Sequence, residues 1–115
     1  MPARIQVVDI KSDMPAAGQA VRRAHNALVA AKASGAAAVK LIHGYGSTGV
    51  GGRIRTEARR FLEDQRRRGK VRAVLPGEAF SIFDQATLRA FDLCPELRRD
   101  SDLGRENSGV TIVVL

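Results

Sequence analysis

With 115 residues, 44% of them hydrophobic, and a single cysteine, the chain suits one domain with a modest core and no internal disulfide. It has no run of about 18 apolar residues, which excludes a transmembrane helix. The opening Met-Pro-Ala-Arg-Ile-Gln lacks the apolar stretch of a secretory signal, so a reducing, cytoplasmic setting is expected. The net charge of +7 is unevenly placed: residues 53–72 carry nine basic and three acidic side chains, and residues 73–115 carry four and seven. A basic patch confined to one segment points to nucleic acid as partner rather than to a membrane.

Residues 4–10 (Arg-Ile-Gln-Val-Val-Asp-Ile) alternate and then run apolar, which predicts a first strand with Asp9 near its C-terminal end. Ser12 or Asp13 is placed to cap a following helix, and Pro15 is acceptable in a first turn. Apolar residues at 17, 20, 21, 24, 27, 28 and 31 form one stripe, with Arg22, Arg23, Asn26 and Lys32 on the other side. His25 flanks the stripe and is read as a surface or partly buried histidine. Ser34-Gly35 closes the helix.

Residues 37–43 predict a second strand. A strand–helix–strand connection of this length makes parallel neighbours, so Asp9 and His43 should reach the same end of the sheet. Five glycines follow His43, at 44, 46, 49, 51 and 52, before an arginine-rich helix running to about Arg68. Strand, glycine loop and helix N-terminus together bring backbone N–H groups and the positive end of the helix dipole to one place, a way of holding an anion. Val71–Leu75 predicts a third strand, stopped by Pro76-Gly77. The insert 78–107 includes a helix over 81–93, with Ser81 and Asp84 at capping-box spacing, and polar, turn-rich residues from 98 that are expected to be mobile. Val110–Leu115 is apolar enough for a central strand. The predicted fold is an α/β two-layer βαβαββ sandwich: a mixed four-stranded sheet, two main helices and a helical insert before the last strand.

Gly44-Tyr-Gly-Ser-Thr-Gly49 matches the dinucleotide pattern G-x-G-x-x-G. That fingerprint, however, belongs after a first strand and needs an acid roughly 20 positions on, whereas none lies between Gln65 and the end of the third strand. A P-loop is excluded because Val50 and Arg53 stand where Lys and Ser or Thr are required. His43-Gly44-x-Gly46-Ser47-x-Gly49, the arginine-rich helix and Gly109-Val-Thr-Ile-Val-Val-Leu115 together resemble the Smr (small MutS-related) domain. That family joins a histidine-glycine-x-glycine loop to such a helix and closes with a strand of this form. The resemblance implies a sandwich similar to the C-terminal domain of translation initiation factor three. It also implies nucleic-acid binding, with DNA-nicking or RNA-cleaving activity in several members. Where the family places a histidine after its first strand, this chain has Lys11.

Three functions follow as expectations. The first is nucleic-acid binding with weak or absent cleavage. Gly44, Tyr45, Gly46, Ser47, Thr48 and Gly49 would line the phosphate cradle, with Arg53, Arg55 and Arg59 beside it and Tyr45 placed to stack on a base. The second is an endonuclease in which His43 acts as acid or base, Asp9 orients it or helps hold a divalent cation such as Mg2+, and Lys11 neutralises phosphate. Lysine is a poor base near neutrality, and one carboxylate with one imidazole is thin for a two-metal site. No other cofactor is indicated. The third is a protein-interaction module acting through the insert.

Overall fold

A computed structural model describes residues 4–45 and 49–115. In chain order the regular elements are β1 (Ile5–Asp9), α1 (Ala17–Ser34), β2 (Ala38–Ile42), α2 (Gly49–Arg67), β3 (Ala73–Pro76), α3 (Gln85–Leu93) and β4 (Val110–Val114). The strands form one mixed sheet in the order β1-β2-β4-β3. β1 lies parallel to β2, and β4 runs antiparallel to both β2 and β3. The C-terminal ends of β1, β2 and β3 therefore share one edge with the start of β4. The expected α/β fold, mixed four-stranded sheet and central last strand are all present.

The apolar stripe of α1 (Ala20, Ala24, Leu28, Ala31) and that of α2 (Ile54, Ala58, Leu62) pack with Val39, Leu41 and Val113 on one face of the sheet. α1 ends as expected at Gly35, whose φ of 81° takes the left-handed form glycine permits. Its start differs. The helix begins at Ala17 behind Ala16, with no side-chain cap, so neither Ser12 nor Asp13 caps it. The Asp9 carboxylate instead accepts the backbone N–H groups of Lys11 and Ser12, and Arg23 donates to the Ser12 carbonyl at 2.8 Å. These contacts draw residues 11–14 into a turn before the helix can begin. His25 is exposed and meets Phe61 edge-on, with ring centroids 6.1 Å apart.

The reverse face of the sheet is covered by the insert. Phe80, Ala90, Phe91, Cys94 and Leu97 bury Ala38, Leu75, Ile112 and Val114, so the sheet divides the core in two. Since side chains alternate along a strand, β2 and β4 feed both cores, and all five residues of β4 are buried. The helix in the insert starts at Gln85 rather than near Ser81, because Asp84 is the cap and accepts from the backbone N–H of Thr87.

Residues 98–109, expected to be mobile, are pinned. Lys40, on the reverse face of β2, donates to Asp100 at 3.0 Å and also meets Asp102. Asn107 donates to Asp102, and the Gly104 N–H reaches the Phe80 carbonyl. Burial works to lower the Lys40 pKa, but the hydrogen bonds to Asp102 and Asp100 outweigh it and raise it. Burial likewise works to raise Asp102, and the bonds from Lys40 and Asn107 leave it lowered. The pair is held charged.

Candidate nucleic-acid interface

The edge where β1, β2 and β3 end collects most of the candidate residues. Gly44 has a φ of 80°, and a Cβ placed there would stand 3.1 Å from the Lys11 side chain. Lys11 thus lies along the mouth of the loop. Both His43 and Gly44 donate their backbone N–H groups to the Gly109 carbonyl at 3.0 Å, which ties the start of the loop to the residue before β4. Tyr45 is 65% exposed. α2 carries no acid in its first turn, so its positive pole is not neutralised from within. Arg53 is exposed and shares a cavity of about 220 Å³ with the first residues of α1. Arg55 is close enough for its charge to act on both His43 and Glu78. Gly46, Ser47 and Thr48, assigned to the cradle from sequence, lie outside the described residues.

His43 is 1% exposed, and both of its ring nitrogens are engaged. Nδ1 lies 2.9 Å from the Gly44 carbonyl and Nε2 lies 2.8 Å from the Thr111 hydroxyl. A carbonyl only accepts, so Nδ1 carries a proton. Arg59 Nε donates to the same Thr111 oxygen at 3.1 Å, and a guanidinium has nothing but donors. Of the two side chains bonded to Thr111, only His43 can take the hydroxyl proton, at Nε2, an arrangement that suits a neutral imidazole. Burial, followed by the charges of Arg59 and Arg55, pushes its pKa down against the Gly44 bond and Glu78.

Arg59 itself faces inward. It grips Glu78 with two bonds of 2.8 and 2.6 Å and reaches the carbonyls of Ser108 and Val110. Its guanidinium holds Glu78 below the usual carboxylate range. A continuous network thus runs Glu78–Arg59–Thr111–His43–Gly44, from the first residues of the insert to the first glycine of the loop.

Asp9 and His43 do end at the same edge, in adjacent strands, but their side chains do not meet. The Asp9 carboxylate is taken by the backbone of Lys11 and Ser12 and lies 3.8 Å from Lys11 Nζ. Its slight burial works to raise its pKa, and those contacts leave it lowered. Among the described residues no group of three or more His, Cys, Asp or Glu side chains could hold a metal ion. The donors around Asp9 do not fit a resident divalent cation. Cys94 is buried, and burial raises its thiol pKa.

Sequence reasoning missed Thr111, Glu78, Asn107 and Gly77 as parts of this edge. Gly77 has no room for a side chain, since a Cβ there would lie 2.0 Å from the Asn107 carbonyl oxygen. Thr111 did carry a signal. It is the one polar residue in the run Val-Thr-Ile-Val-Val, and a hydroxyl in a fully buried strand requires a partner.

Comparison with known proteins returns no matching family model, no matching curated protein and no matching solved structure. The reading of this edge therefore rests on its geometry.

Proposed function

We propose that this edge binds nucleic acid through the phosphate backbone, in the manner of an Smr-like domain, with cleavage weak or absent. The observation that carries this reading is the convergence of cations on the start of the glycine loop, where His43 and Gly44 are tied to Gly109. Lys11 lies against Gly44, Arg53 and Arg55 follow on the first turns of α2 beside its unneutralised pole, and Tyr45 is exposed for stacking. The binding-only reading is favoured by the state of His43. A buried, neutral imidazole with both nitrogens engaged has no free position from which to take or give a proton at a phosphodiester. The aspartate expected to orient it is occupied elsewhere. A cytoplasmic setting belongs to the same proposal.

Fluorescence anisotropy with labelled single- and double-stranded oligonucleotides tests it. Arg59 is internally paired, so about three cations (Lys11, Arg53, Arg55) neutralise phosphates. Affinity is then expected to fall roughly 20- to 40-fold between about 50 and 200 mM salt. Lys11→Glu and Arg55→Glu should each weaken binding, and no cleavage product should form. Salt-independent binding, or binding indifferent to both substitutions, sinks the proposal. Cleavage that is abolished by His43→Ala would restore the endonuclease reading.

A further inference from the structure

Four of the eight large apolar side chains exposed among the described residues, Ile82, Phe83, Leu88 and Leu93, fall within one stretch of the insert. Phe83 is 90% exposed. It immediately precedes the cap Asp84, and Leu88 sits at the fourth helical position, the pair that closes as a hydrophobic staple in many helices. Here both remain open to solvent, so the fold makes no internal use of the phenyl ring. Around Phe83 lies a groove of about 410 Å³ lined by Glu78, Asp84 and Glu106, with no basic side chain.

A second groove, of about 420 Å³, has the opposite character. Its floor is Ala73, Val74, Ala86, Ala90 and Leu93, and its rim is Arg66, Arg72 and Arg89, with no acidic side chain. Arg66 is paired with Glu63. Among the described residues, Arg72 and Arg89 have no carboxylate within ion-pair distance.

We propose that two copies of this chain pair about a twofold axis across α3, the Phe83 of each entering the arginine-rimmed groove of the other. Knob and groove belong to the same short helix. Phe83 precedes it and Ala86, Arg89, Ala90 and Leu93 line the groove, so the ring and the centre of the groove are separated by about 10 Å along the axis. Two complementary patches on one short element become self-complementary under a twofold rotation, the knob of each copy meeting the groove of the other. The charges agree as well. Asp84 and Glu106 would approach Arg72 and Arg89, and a guanidinium stacks well on a phenyl face. An apolar floor suits a ring better than it suits sugar and phosphate. Two phenylalanines bury roughly 300–500 Å², short of the ~1,200 Å² of stable interfaces, so the dimer should be weak and reversible.

Sedimentation equilibrium of the full chain from about 10 µM to about 1 mM tests this. The mass is expected to rise from one chain to two. Phe83→Ser and Arg89→Glu, both at exposed positions, should each raise the dissociation constant about tenfold or more while leaving the circular dichroism spectrum and melting temperature unchanged. A mixture of the two variants is the sharper measurement. Each variant alone has both contacts damaged, whereas the mixed pair retains one intact, so the mixture should associate more strongly than either variant alone. A monomer at every concentration, a mixture no stronger than its components, or species larger than a dimer overturns the proposal. So does loss of oligonucleotide binding in an Arg89→Glu chain whose parent is monomeric, which would assign the groove to phosphate.

Discussion

At the scale of single residues, the edge is governed by the Thr111 hydroxyl, which accepts from Arg59 and shares a second hydrogen bond with His43. Replacing Thr111 with Val keeps the volume and removes both bonds, leaving His43 Nε2 and Arg59 Nε without their partner. The expected cost is about 1–3 kcal/mol, read from urea unfolding with an unchanged m-value. His43 also makes a statement about pH. Its folded-state pKa lies below the ordinary value of 6.5, so between these values the unfolded chain binds the extra proton. Stability is then unaffected above about pH 6.5 and declines as pH falls below it. A plot of stability against pH from about 7 to 5 should be steeper for the wild type than for His43→Ala; equal slopes would show that His43 contributes nothing to the dependence. The sequence marked His43 because an imidazole before a glycine loop is conspicuous. It hid the role of Arg59, since an arginine within a basic run looks like its neighbours until a partner from another element is known.

The elements divide by how local their determinants are. The stripe at three- and four-residue spacing marked α1, and the apolar run of β4 announced a strand enclosed on both faces. The insert defeated local reading. Asp100, Asp102 and Asn107 have the composition of a surface loop, and only Lys40, sixty positions away from Asp100, turns them into an anchor. A lysine inside an apolar strand was the available clue. Replacing Lys40 with Met leaves two carboxylates near the reverse core without their cation, and a loss of about 3 kcal/mol is expected. The measurement is chemical denaturation near neutral pH, together with faster amide exchange over 98–109. Unchanged exchange in that segment would show that it is held by something other than the lysine.

For the molecule as a whole, the insert is a covering layer and not an appendage. Removing residues 79–106 would strip Phe80, Phe91 and Leu97 from Leu75, Ile112 and Val114, each loss comparable with a large-to-small core substitution of about 3–5 kcal/mol. Three such losses, about 9–15 kcal/mol, are as large as the whole stability of an ordinary small domain. The shortened chain should lack a cooperative thermal transition, and a sharp melt from it would mean that the other face suffices. The arginines of α2 are largely paired, one of them with the insert. Glu78 neutralises Arg59, while Glu57, Glu63 and Asp64 partner Arg60, Arg66, Arg67 and Arg68. Only Glu78 lies outside residues 53–72, so the excess there falls by a single charge, and among the described residues the cations of that segment without a carboxylate partner gather at the N-terminal end of α2 and beside β3.

The strand order has a temporal consequence as well. β4 lies between β2 and β3 yet follows every other element in the chain. During synthesis β1 and β2 have each other to pair with, but β3 emerges with no neighbouring strand, and Gly109 and Thr111, which hold His43 and Gly44, are not yet present. The nascent chain holds two unmated parts of the sheet until that segment arrives, so the edge that carries His43 and Gly44 is completed only once β4 has been made.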